Sequence, residues 1–247
     1  MLAFARETRL SETTFVQRPT AAGADYRNRI FTVAGELPFA GHPSLGTAVA
    51  IARRRRLDRA RFTQQTGAGT QAIEVELEGQ LAHASMLQEP ASFGAEIDAS
   101  RALAPAGLSA ADADPELPPQ VVSTGIAHVI GPVRSVEVLA RAGLGDPAGL
   151  ATLLEPLGAT VLYLAWCDPS GGPARARGFF HGGEDPATGS AAGPLCAYLT
   201  ARRGQSSLEV VQGVEMGRPS RLETSVEGDR VRVGGDVVVL VEGTLRL

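Results

Sequence analysis

Glu184-Asp-Pro-Ala-Thr-Gly-Ser-Ala-Ala-Gly-Pro-Leu-Cys-Ala-Tyr-Leu199 reads as an acidic pair, a turn, a run of small residues and an apolar helix. Pro186 to Ser190 forms the tight start of that helix, and Gly204, after Ala201-Arg-Arg, stops it. Gly189, Ser190, Ala191 and Ala192 carry almost no side chain, so another group can lie against the first turn. Unpaired backbone N–H groups and the positive end of the helix dipole make that turn an anion site. With Asp185 beside it, the stretch suits a small substrate bearing a carboxylate together with an amine or a hydroxyl.

The same device occurs once more, in Gly35-Glu-Leu-Pro-Phe-Ala-Gly-His-Pro-Ser-Leu-Gly-Thr-Ala-Val-Ala-Ile-Ala52. An acid, a proline, a Gly-His-Pro turn and small residues lead into an apolar helix that ends in Arg53 to Arg56. The two stretches read as an internal duplication whose repeat is far longer than a solenoid unit, which predicts two similar lobes. Two helix N-termini facing each other across an interlobe cleft are the expected active site.

The chain of 247 residues is 44% apolar and 20% charged, ordinary values for a globular protein with a large core. A net charge of −4 gives no reason to expect nucleic acid or an anionic membrane as partner. Cys167 and Cys196 have no pair spacing, and histidines are few, so neither a metal site nor a disulfide framework is expected. No apolar run is long enough to span a bilayer and no leader pattern is read, so the expectation is a reducing, cytoplasmic setting.

Along the chain, residues 1–9 read as the tail of a helix and residues 10–16 lead into a strand. Strands are expected at 26–32, 62–66, 71–77 and 80–86, and a short helix at 95–104 stopped by Pro105. The polar, proline-rich stretch 109–119 predicts the boundary between an N-terminal lobe, 1–117, and a C-terminal lobe, 118–247. Strands at 120–122 and 127–130 frame Ser123-Thr-Gly-Ile126, read as a possible backbone contact to ligand. Helices follow at 135–142 and 147–156, with strands at 160–165, 176–181, 207–212, 221–226, 230–234 and 236–246. Many strands around two apolar helices make the class α+β with mixed, barrel-like sheets.

No Gly-rich phosphate loop, nucleophile elbow or metal-spaced histidine cluster is present. The remaining candidates, Glu12, His42 and Asp185, are equipment for proton transfer. Glu12 and His42, like the basic run Arg53 to Arg56, have plainer readings. Glu12 is a surface carboxylate at an element boundary, His42 holds its turn by a backbone bond, and Arg53 to Arg56 is a solvated helix end that complements the dipole. Apolar flanks around Glu12 predict that burial raises its pKa toward neutrality, as an acid catalyst needs.

Leu10-Ser-Glu-Thr-Thr-Phe-Val16, Glu36-Leu-Pro-Phe-Ala-Gly-His-Pro43, Glu184-Asp-Pro-Ala-Thr-Gly-Ser-Ala-Ala-Gly-Pro194 and Gln212-Gly-Val-Glu-Met-Gly-Arg-Pro-Ser220 together resemble the PhzF-like family. The resemblance implies the diaminopimelate epimerase fold, with two pseudo-symmetric lobes, each a sheet around a central helix. It implies Glu12 as general acid/base, with His42 and Asp185 beside the substrate. Gly41, Thr188, Gly189 and Ser190 would be substrate-binding. The implied reaction is isomerisation of trans-2,3-dihydro-3-hydroxyanthranilate to an aminoketone, without cofactor or metal, in a homodimer. Family members usually carry a Gly-Asn-Pro turn and a further strand before the helix that leads to Glu12, and here residue 1 falls within that helix; either the chain starts upstream of residue 1, or, if the short form is the native one, an open sheet edge is expected. The related epimerases use two thiols at the helix starts, whereas this chain has Ala40 and Ala187 there, so two-cysteine racemisation is disfavoured. Asp185-Pro-Ala-Thr-Gly189, in place of Asp-Ala-Ala-Thr-Gly, leaves an epimerase or dehydratase acting on another amino acid, or a binding protein of the same fold, as the alternatives.

Overall fold

A computed structural model gives the fold for residues 1–244. The chain divides into two units, Met1–Leu87 with the chain from Gly234 onward, and Gln88–Val233. The predicted boundary at 117/118 therefore lies inside the second unit. The stretch around it is no linker: Leu117 and Asp112 are buried, and Asp112 accepts bonds from Ser109 and Arg141.

The first unit begins with helix α1 (Leu2–Thr8), strands β1 (Thr13–Gln17), β2 (Tyr26–Phe31) and β3 (Glu36–Leu37), and helix α2 (Gly41–Arg55). It continues with β4 (Arg59–Thr66), β5 (Gly69–Glu78) and β6 (Leu81–Leu87). The strand order is β1-β2-β4-β5-β6, with β2 and β4 parallel and the other neighbours antiparallel. Ala48, Val49, Ile51 and Ala52 of α2 are buried with Tyr26, Phe62, Ile73, Val75 and Ala84 of the sheet. The small residues and apolar helix expected from the sequence thus supply the buried stripe of α2.

The second unit adds β7 (Ser92–Glu96), α3 (Ala99–Leu103), β8 (Gln120–Ser123), β9 (Ala127–Pro132), α4 (Val136–Arg141) and α5 (Pro147–Leu154). Then come β10 (Leu162–Trp166), β11 (Ala174–Phe180), β12 (Gly183–Asp185), α6 (Gly189–Arg203), β13 (Ser207–Gln212), β14 (Ser220–Glu227) and β15 (Arg230–Val238), whose residues from Gly234 onward belong to the first unit. The order is β15-β14-β13-β11-β10-β9-β8-β7, with β11 parallel to β13 and β9 parallel to β10. Helix α6 buries Ala191, Leu195, Cys196, Tyr198 and Leu199 among Tyr163, Ala176, Val210 and Leu222. A second core lies under α3, α4 and α5. No helix among the described residues is long and apolar enough to cross a membrane.

Three local expectations change. The helix predicted at 95–104 is β7 followed by α3, because Asp98 caps α3 by accepting from Ser100 and Arg101 N–H groups. The strands predicted at 230–234 and 236–246 are one strand, β15, ending at Val238; residues 245 and 246 of that prediction lie outside the described chain. Gly234 is a contact point rather than a break: a Cβ there would stand 2.8 Å from Ser85 Cβ on β6. The short strands β3 and β12 were not legible at all.

The internal duplication is visible element by element. β1, β2, β3, α2, β4 and β5 correspond to β10, β11, β12, α6, β13 and β14, with the same pairings. It extends to side chains. Arg29 on β2 pairs through both nitrogens with Glu36 on β3 and lies 5.2 Å from the Phe31 ring. Arg177 on β11 does the same with Glu184 on β12 and lies 5.1 Å from Phe179. A glycine after the parallel strand also recurs. A Cβ on Gly67, after β4, would stand 3.0 Å from Pro38 Cα, and one on Gly213, after β13, 2.7 Å from the Pro186 carbonyl. Gly213 in addition adopts φ +80, which excludes a side chain on conformational grounds. Gly213→Ala is therefore expected to destabilise the fold by roughly 2–4 kcal/mol, the left-handed cost plus overpacking. Gly217→Ala, at φ +68 but in open space, is expected to cost only about 1 kcal/mol. Urea unfolding of both variants checks this, and equal losses would contradict the packing argument.

Candidate active site

In the first unit, Arg9 at φ 51 ends α1 and turns the chain toward β1, which leaves Glu12 immediately before the strand. The start of α2 is bolted to that strand. The Thr47 hydroxyl is 2.8 Å from the Thr14 hydroxyl and 2.7 Å from the Pro43 carbonyl. His42, the second residue of α2, then meets Glu12 with Nε2 2.9 Å from Oε2. The Glu12 side chain is 18% exposed and the imidazole 51%.

The electrostatics of this pair reverse the sequence expectation. Glu12 lies below the usual carboxylate range, first because the His42 imidazole, its Nε2 2.9 Å from Oε2, favours the charged form. Burial pushes the other way and loses, and the Ser11 hydroxyl adds to the lowering. Glu12 rests as a carboxylate, a base ready to receive a proton and then a stronger acid than an ordinary carboxyl group.

In the second unit, β12 brings Asp185 to the foot of α6. Asp185 Oδ2 accepts the Thr188 hydroxyl at 2.8 Å, and Oδ1 has only a long 3.4 Å contact to the Ala187 N–H. Thr188 is the residue before α6, and its carbonyl accepts the N–H groups of Ala191 and Ala192 at 3.0 Å. Gly189 and Ser190 open the helix, where the first N–H groups have no helical acceptor. The candidates named from sequence thus form two local groups: Glu12, Gly41 and His42 in one unit, and Asp185, Thr188, Gly189 and Ser190 in the other.

Several supports of the second group were missed. Gln88 donates from Nε2 to the Gly189 carbonyl at 3.0 Å and accepts the Thr124 hydroxyl at 2.5 Å. Thr124, read from sequence within a ligand-contact stretch, therefore spends its hydroxyl on Gln88. Gly193 was the available signal, since a Cβ there would overlap the Gln88 amide. Pro194 inside α6 lacks the N–H that the Ser190 carbonyl would receive in a regular helix. His128 on β9 lies beside that carbonyl. Burial pushes its pKa down to about 4 against the pull of the Ser190 backbone, so the ring is neutral, with Nδ1 3.1 Å from the Thr160 hydroxyl. Gln212, quoted above only within a motif, is wholly buried at the end of β13.

A mixed α+β fold of two duplicated halves, each with a small-residue helix start, defines the epimerase-like fold class. The profile of the family described as phenazine biosynthesis-like protein (PhzC-PhzF) matches residues 1–243. The chain is 36% identical to the trans-2,3-dihydro-3-hydroxyanthranilate isomerase of Pseudomonas chlororaphis, over all of this chain and 88% of that one. It is similar to a solved structure from Pseudomonas aeruginosa described as a predicted epimerase, with 35% identity and TM-score 0.81 over 98% of this chain and 88% of that one. A probable proline racemase from Agrobacterium radiobacter shares the fold alone, with 13% identity and TM-score 0.60 over 95% of this chain and 76% of that one. The chain belongs to the phenazine biosynthesis-like family and is an isomerase of that family's kind.

Removing the imidazole by His42→Ala should move the Glu12 titration upward, toward the ordinary glutamate value of about 4.3. Carboxyl carbon chemical shifts against pH read this directly. An unmoved titration would separate the ring from the carboxylate.

Proposed function

We propose that this chain is a cofactor-independent isomerase that moves a proton on trans-2,3-dihydro-3-hydroxyanthranilate, with Glu12 as the acid/base group. The observation that carries the reading is the Glu12–His42 contact, which keeps a mostly covered carboxylate ionised at a helix start. The name of the relative from Pseudomonas chlororaphis supports the substrate.

In the proposed reaction the Glu12 carboxylate takes the proton from C3, and the negative character spreads over the ring diene. The Glu12 acid then returns the proton to another ring carbon, and the resulting enol tautomerises to the aminoketone. No atom is gained or lost. A low pKa makes Glu12 a modest base for the first step and a strong acid for the second, so delocalisation in the substrate must supply the driving force for proton removal. His42 orients the carboxylate. Asp185, whose Oδ1 keeps free acceptor capacity, receives the substrate amine, and the N–H groups at the start of α6 receive its carboxylate. A cytoplasmic homodimer is part of the same proposal.

Turnover of this substrate in deuterated water by the wild type and by Glu12→Gln tests the assignment. The wild type should place deuterium in the ring, and Glu12→Gln should lose roughly 10³-fold or more in kcat, within the range of general acid/base catalysis. A folded wild type that leaves the substrate unchanged would sink the assignment.

A further inference from the structure

We propose that Gln212 is a positioning residue that fixes Asp185 and Thr188 for substrate binding; this rests on the reading that those two residues hold the substrate. Gln212 is fully buried, and an amide in such a place is costly unless every donor and acceptor is met. All of its capacity is used. Nε2 donates to the Asp185 carbonyl at 2.6 Å and to the Thr188 hydroxyl at 2.9 Å. Oε1 accepts the Thr188 N–H at 3.0 Å and the Tyr163 hydroxyl at 2.8 Å. Three of the four bonds thus go to the segment just before α6. The Thr188 hydroxyl, supplied from behind by Gln212, spends its own hydrogen on Asp185 Oδ2. The amide therefore sets the rotamer of the threonine that sets the carboxylate.

The duplication shows that the fold itself does not require this amide. By the matched registers, Gln212 corresponds to Thr66, Asp185 to Leu37 and Gly178 to Ile30. Thr66 bonds within its own hairpin, to Gly69 and Gln71, and not to the start of α2. The first half builds the same strand–helix junction with an apolar residue in place of the acid. In the second half three positions differ together. Gly178 makes the room, since a Cβ there would stand 2.7 Å from Thr188 Oγ1 and 3.3 Å from Gln212 Nε2. Asp185 supplies the charge and Gln212 holds it. The first half has a buried polar network too, Asn28–Gln64–Gln71–Thr66, but those bonds stay within the sheet; only in the second half does the network reach the segment before the helix and its free carboxylate oxygen, which is organisation for a ligand.

The test is Gln212→Met, which keeps the length and loses every hydrogen bond, alone and combined with Asp185→Asn. The expected result is a KM raised at least 10-fold with kcat within about 3-fold, since proton transfer belongs to Glu12, and no further rise in KM when Asp185 is already Asn. The Thr188 amide should also exchange with solvent faster, a readout that needs no substrate. Tyr163→Phe removes only the outer support of the amide and should give a smaller KM rise in the same direction, should Gln212→Met fold poorly. An unchanged KM, an equal KM rise in the Asp185→Asn background, or an unaltered Thr188 amide would overturn the proposal. If the wild type itself turned over no substrate, the proposed reaction would fall, and binding of a substrate analogue to the wild type and to Gln212→Met would decide the role of Gln212, equal affinities overturning it.

Discussion

The seating of each central helix on the end of a parallel strand is the constraint from which the rest follows. A chain leaving a strand must turn sharply while another segment crosses it to begin a helix. The crossing is possible because the strand ends in glycine: Gly67 lies against Pro38, and Gly213 against Pro186. A methyl group at either place would push the proline away, and with it the first turn of the helix. The Ala68 N–H donates to the Pro38 carbonyl at 3.1 Å, so the first contact is bonded as well as close. Once the junction is fixed, the helix start, its free N–H groups and the residues beside it hold constant positions. The bidentate Arg29–Glu36 and Arg177–Glu184 pairs brace the short strand that feeds each junction.

The two halves spend this shared frame differently. The first places His42 on its helix and brings Glu12 to it from the segment before β1. The corresponding positions in the second half are Ser190 and Val161, neither of which can do that chemistry. The second instead places Asp185 where the first has Leu37, and surrounds it with Thr188 and Gln212. One half keeps a carboxylate–imidazole pair and the other a carboxylate held by a hydroxyl and an amide. Divergence after duplication explains why the carboxylate–imidazole pair occurs in one half and has no counterpart in the other.

Much of this was legible in the sequence, for definite reasons. The helix starts are marked by runs of residues too small to serve any other purpose, and the duplication follows from reading two of them together. The boundary was misplaced because 109–119 has linker composition, yet Leu117 and Asp112 are buried by partners distant in sequence. Glu12 was read in the right place with the wrong sign. Apolar neighbours suggest desolvation, but the sign depends on the His42 ring 30 positions away in sequence, which outweighs burial. Gln212 was invisible because an amide at a strand end is ordinary until its four partners are known. The strands β3 and β12 are too short for any period to register.

The central claim is that one carboxylate, Glu12, both removes and returns the proton. Single turnover of substrate deuterated at C3, in ordinary water, addresses it directly. With the Glu12 side chain mostly covered, part of the label should reappear on the second ring carbon of the same molecule, and none should do so with Glu12→Gln. Product from the wild type that carries only solvent hydrogen at that carbon would contradict the account and require separate groups for the two transfers.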